Sequence, residues 1–179
     1  HPHIVPMIEY GQEGEEHFII SEFAPGERLD LVIEHHGALS ERTAVDICRQ
    51  LTEAEIHICQ RGFLYRDMKP ENVMYVADTE TVRLLDFGLC LPLAEVAAAH
   101  TVAGDELEGS PFYLPPERIV GAAEGEYSEV YSLGMLLFFM LTGRTYYSKA
   151  DLEKLVVKHV TSLRVSSVAN HLQHCSPEL

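Results

Sequence analysis

Tyr65-Arg66-Asp67-Met68-Lys69-Pro70-Glu71-Asn72, followed fourteen residues after Asn72 by Asp86-Phe87-Gly88, is the part of the chain whose reading decides the fold. Two carboxylates, an amide oxygen and an ammonium group fall on two loops, and the residues between the loops read as a hairpin. Asn72 to Val76 and Thr81 to Leu85 are short strand-like runs around the polar turn Ala77-Asp78-Thr79-Glu80. Such a hairpin brings Asn72 and Asp86 near each other. Hard oxygen ligands of this kind suit Mg²⁺, and a further carboxylate suits a hydrogen bond from a hydroxyl.

Two later stretches belong to the same series. Gly109-Ser110-Pro111-Phe112-Tyr113-Leu114-Pro115-Pro116-Glu117 is one, and Tyr127-Ser128-Glu129-Val130-Tyr131-Ser132-Leu133-Gly134, running apolar to Gly143, is the other. Taken in order, the motifs resemble the catalytic loop, metal-binding turn, activation-segment end and central large-lobe helix of the protein kinase family. His1-Pro2-His3-Ile4-Val5 resembles the segment after the regulatory helix of the small lobe.

The resemblance implies an α+β, kinase-like fold truncated at both ends. Residues 1–22 would be the last strands of the small lobe, 23–28 the hinge and 29–179 a mainly helical large lobe. No Gly-x-Gly-x-x-Gly loop and no Val-Ala-x-Lys strand is present in these residues. The implied activity is transfer of the ATP γ-phosphate to protein Ser or Thr hydroxyls with Mg²⁺, by a parent protein of which this is a fragment. Alone, the fragment is expected to be inactive. A kinase-like scaffold that binds partners or nucleotide without catalysis is the alternative.

Roles follow residue by residue from the resemblance. Asp67 would orient the substrate hydroxyl and Lys69 would stabilise charge on the transferred group. Asn72 and Asp86 would hold Mg²⁺. The backbone at Glu22 and Ala24 would meet adenine, Met74 would lie beneath it, and Glu71 would offer its carbonyl near the ribose. Ser21 would be a small gatekeeper at the back of the pocket. Lys69 points to Ser/Thr rather than Tyr specificity, and the wording after the hinge looks bacterial.

Composition constrains partners and surroundings. A formal net charge of -15 argues against nucleic acid and anionic membrane surfaces, both of which demand clustered Lys and Arg. Cys48, Cys59, Cys90 and Cys175 are widely spaced, which favours free thiols and a cytoplasmic setting. The histidine pairs lack carboxylate or thiolate ligands at sensible spacing for zinc. Leu133 to Leu141, the longest apolar run, is too short to cross a bilayer. Membrane anchoring of the parent stays open.

Local patterns give further expectations. Ile4 to Tyr10 and His17 to Glu22 read as a hairpin turning at Gly11-Gln12-Glu13-Gly14, Leu29 to His36 as a short helix, and Ser40 as the N-cap of a helix from Glu41 to about Gln60. Val45, Ile47, Cys48, Leu51 and Ile58 mark the core face of that helix. Glu55 interrupts the face, so it either strains the helix or pairs with an Arg. Glu129 stands where the family has an Asp that binds the catalytic-loop backbone. Its extra methylene is expected to displace the loop, and Glu117 is expected to lack the Arg that the family supplies near the domain's end, at a cost of roughly 3–5 kcal/mol. Arg66 is expected either to be held by the acidic stretch Asp105-Glu106-Leu107-Glu108 in place of a loop phosphate or to face a merely solvated loop.

Overall fold

The computed structural model describes residues 1–96, 110–147 and 176. Its frame is the α2–α5 pair. Helix α2 (Glu41–Cys59) starts where Ser40 Oγ accepts the Thr43 N–H at 3.1 Å, satisfying one of the free amides of the first turn. Ala44, Ile47, Leu51, Ala54 and Ile58 recur at helical spacing and are buried. Helix α5 (Glu126–Thr142) packs against them with Met135, Leu136, Met140 and Leu141 in the core, and ends at Gly143 in the left-handed conformation, φ 70°. Each fully buried Leu, Ile or Met here contributes on the order of 1.5–3 kcal/mol of apolar burial. Val45, assigned above to the core face, is exposed: it is one position off the stripe that faces α5 and the sheet.

Helix α1 (Leu29–His36) buries Leu29, Val32 and Ile33, one face of two turns. The loop after it is tied down by the Leu39 N–H donating to Met140 C=O at 2.8 Å.

The strands form two antiparallel hairpins, of which the second packs on α2. Strands β1 (Met7–Glu13) and β2 (Glu16–Ser21) pair with Glu13 opposite Glu16. The turn therefore falls at Gly14-Glu15 rather than over Gly11–Gly14. Gly14 has φ 65°, which favours glycine, whereas Gly11 stays in the strand because Phe18 covers it; a Cβ there would lie 2.3 Å from the ring. Strand β3 (Glu27–Arg28) pairs with β5 (Val73–Val76), and β5 with β6 (Thr81–Leu84), Val73 opposite Leu84. Gln50 stitches α2 to this sheet: its Oε1 accepts the Val82 N–H at 3.0 Å and its Nε2 donates to Glu80 C=O at 2.8 Å. Strands β4 (Phe63–Leu64) and β7 (Leu91–Pro92) form a third small pair, and α3 (Leu93–Val96) and α4 (Pro116–Ile119) are single turns. No helix among the described residues is long and apolar enough to cross a membrane.

Candidate active site

The β5–β6 hairpin does for the two loops what their spacing predicts. Its ladder extends one step past the strands, with the Leu85 N–H donating to Asn72 C=O at 2.8 Å, so Asp86 leaves the sheet next to Asn72. Asn72 ends a 3-10 turn, Pro70–Asn72, that Pro70 starts at a position where no amide donor is needed.

Asp67 is the hub of the loop. Its Oδ2 accepts from Lys69 Nζ at 2.7 Å and from Asn72 Nδ2 at 2.8 Å, and Asn72 Nδ2 also reaches Asp67 C=O at 3.1 Å. Asp67 and Asn72 are buried. These bonds spend the amide nitrogen of Asn72 on the loop and leave its Oδ1 as the group able to ligate a cation. Asp86 is exposed, with φ 50°, and its Oδ1 accepts the Gly88 N–H at 3.0 Å.

Tyr65 fastens one loop to the other. Its buried hydroxyl donates to Leu85 C=O at 2.6 Å, and its ring meets Phe87 edge-on at 5.3 Å. Burial foremost, then the charge of Asp67, pushes the phenol well above its usual range, so it remains a neutral donor.

Arg66 is gripped from three sides and needs to be, since its φ of 70° is uncommon for a residue with a Cβ. Its N–H donates to Glu129 Oε1 at 2.9 Å, and its C=O accepts from Arg118 at 2.6 Å. Its guanidinium donates to Glu124 Oε1 at 3.1 and 2.8 Å. Arg118 donates to the other oxygen of Glu124 at 2.8 and 2.6 Å. Burial alone would raise the Glu124 carboxyl, but the Arg118 and Arg66 guanidiniums outweigh it and hold the group below the ordinary range.

Several expectations are corrected here. Glu129 keeps the hydrogen bond to the loop backbone despite its extra methylene. Glu55 meets no Arg among the described residues: it lies against Glu129 instead. Glu117 is only half-buried and accepts from the Ser128 hydroxyl, so it is not an orphaned interior charge. Residues 105–108 lie outside the described residues, and the carboxylate seen on Arg66 is that of Glu124. Sequence reading passed over Glu124 and Arg118; the one available signal was a cation immediately after Pro115-Pro116-Glu117.

The adenine-side residues are more dispersed. Met74 is half-buried on β5, opposite Arg28 on one side and Arg83 on the other. Glu22 is exposed and gives its N–H to Pro6 C=O at 3.0 Å, leaving its carbonyl for any hinge contact, and Ala24 is half-buried. Glu71 is half-buried, and its Oε2 has no partner among the described residues. A cavity of about 630 Å³ flanks Arg42, Asp46 and Tyr75 and touches none of these residues. A narrow crevice instead runs from Asp67 to Ser110, Tyr113 and Ser132.

A protein kinase domain model matches residues 1–179. The chain belongs to the protein kinase family. It is 31% identical over 160 residues to the serine/threonine-protein kinase PrkC of Bacillus subtilis, covering 89% of this chain and 24% of that protein. It is 30% identical over 159 residues to the probable serine/threonine-protein kinase PknB of Lactococcus lactis, covering 89% of this chain and 25% of that protein. It is 36% identical over 146 residues to the serine/threonine-protein kinase pkn2 of Myxococcus xanthus, covering 80% of this chain and 18% of that protein. The chain thus spans a quarter or less of the length of these bacterial relatives.

Proposed function

We propose that this chain is the catalytic large-lobe portion of a Ser/Thr protein kinase, with residues 1–22 completing the small lobe, 23–28 serving as the hinge and 29–179 forming the large lobe. The observation that carries the reading is the Asp67 carboxylate, fixed by Lys69 and Asn72 on one oxygen, beside an Asp86 that the hairpin delivers to Asn72.

The donor set fits a magnesium nucleotide. One carboxylate and one amide oxygen, Asp86 and Asn72, are the small number of protein ligands that Mg²⁺ takes when phosphates and water complete its shell. Bound there, the ion neutralises phosphate charge. Glu22 and Ala24 would meet the adenine through their backbone, Met74 would pack beneath it, and the Glu71 carbonyl would lie by the ribose.

The remaining chemistry belongs to this chain's own side chains. Asp67 Oδ1, the oxygen not spent on Lys69 and Asn72, accepts the proton side of a Ser or Thr hydroxyl and aims its oxygen. As the new O–P bond forms and the bond to ADP breaks, the hydroxyl proton passes late to Asp67. Lys69 places a positive charge beside the path of the transferred group, where charge develops. Mg²⁺-dependent transfer from ATP to a Ser/Thr protein substrate by the full-length protein tests this reading, with Asp67→Asn as its control.

A further inference from the structure

Two departures that look unrelated in the sequence meet in the fold. Glu55 projects from α2 and Glu129 from α5, with 6% and 3% of their surface exposed. Their carboxyl groups are within hydrogen-bonding reach, beside a cavity of about 360 Å³ that Thr52, Cys59, Gln60 and Glu126 also line. Two carboxylates in contact and out of water cannot both be charged, so the pair retains a proton.

Geometry says which member keeps it. Burial foremost raises the Glu129 carboxyl too, but Glu129 accepts the Arg66 N–H and feels the Arg118 guanidinium, and both favour its anion over that of Glu55. Among the described residues Glu55 has no cation beside it and its Oε1 has no partner. We propose that Glu55 is a positioning residue: as a neutral acid it donates its O–H to Glu129, and so keeps Glu129 seated on the Arg66 amide beneath the catalytic loop.

The surrounding charges agree. Burial foremost, then the charge of Glu129, raises Glu55 well above the ordinary carboxylate value. Of the groups facing the pair, Glu124 is neutralised by Arg66 and Arg118, and Glu126 is exposed on α5. Cys59 and Cys90 are each pushed up to about 11, foremost by burial, and stay neutral thiols. Rising pH therefore ionises Glu55 next to a fixed anion, and the repulsion falls on the bond that holds Arg66 at its left-handed φ. Asp67 is the next residue, so its aim is lost with that bond. The pair would make phosphoryl transfer fail reversibly on the alkaline side.

The activity half of this inference rests on the kinase reading; its protonation half does not. In the full-length protein, kcat for transfer and the infrared C=O band of a protonated buried carboxyl are followed against pH for wild type, Glu55→Gln and Glu55→Leu. The band is expected in wild type at neutral pH, lost in step with kcat as pH rises, and absent from Glu55→Gln. Glu55→Gln, a donor at every pH, should carry transfer into the range where wild type loses it, while Glu55→Leu should fall several-fold below Glu55→Gln at neutral pH. The same alkaline fall in wild type and Glu55→Gln, equal rates in the Gln and Leu variants, or no band in wild type would overturn the proposal. Should the variants not fold, the wild-type band decides. The band without transfer at any pH would contradict the kinase reading while upholding the shared proton.

Discussion

Glu124 binds Arg66 through a single carboxylate oxygen, Oε1, which accepts two hydrogen bonds from the guanidinium at 3.1 and 2.8 Å. The other oxygen is left for Arg118, whose third contact is the Arg66 carbonyl. One carboxylate thereby anchors the residue before Asp67 by its side chain and, through Arg118, by its backbone. In kinases with an Arg at this position, a phosphorylated loop residue commonly supplies the matching negative charge.

Glu124→Gln should expose that dependence. It leaves two guanidiniums facing each other with a neutral amide between them, and removing one partner of a buried ion pair costs on the order of 3–5 kcal/mol. Denaturant unfolding should show a loss of that size, with kcat falling at least tenfold. The pH effect has a definite sign. Glu124 is held below its unfolded value, so its contribution is present above the ordinary carboxylate range and is lost as pH falls through the folded value. Wild type should therefore lose stability on acidification, and the Gln variant should lose less.

Tyr65→Phe tests the tie between the two loops. The half-buried Leu85 C=O would be left without the 2.6 Å hydrogen bond it now accepts, at a cost of about 1 kcal/mol. Because Leu85 precedes Asp86, the rate should fall with little change in the affinity for protein substrate. Thermal unfolding and steady-state kinetics of the variant check both halves.

Gly26→Ala tests the proposed hinge. Gly26 has φ 103°, and a Cβ there would lie 2.3 Å from the Tyr75 carbonyl oxygen, against which β3 pairs one residue later. Backbone cannot yield as a side-chain tip can, so the variant should lose roughly 1–3 kcal/mol and bind ATP more weakly. Calorimetry of nucleotide binding is the direct check.

How much of this the sequence carried varies with the distance over which an interaction acts. The Ser40 cap, the β5–β6 hairpin and helices α1 and α2 follow from local rules, and α5 from the family resemblance; together they fix where Asp67, Asn72 and Asp86 stand. The turn of the first hairpin was misplaced because a glycine signal does not distinguish a turn from a strand position covered by a ring, as Phe18 covers Gly11. That hairpin is also less covered than its apolar runs suggest, with Met7, Ile8 and Ile19 exposed, since no described residue packs over them. Contacts between distant helices were the least legible. Glu55 called for a cation by ordinary charge logic, and nothing local to α2 says that the group waiting on α5 is another carboxyl with which it can share a proton.

The central claim, that Asp67 orients the hydroxyl receiving phosphate, is tested most directly by Mg²⁺-dependent transfer from ATP to a Ser/Thr protein substrate in the full-length protein and its Asp67→Asn variant. Transfer in the wild type that falls by at least a hundredfold in the variant, with ATP still bound, is the predicted result. Equal rates in the two proteins, or ATP binding without transfer in either, would contradict the account and favour a nucleotide-binding scaffold.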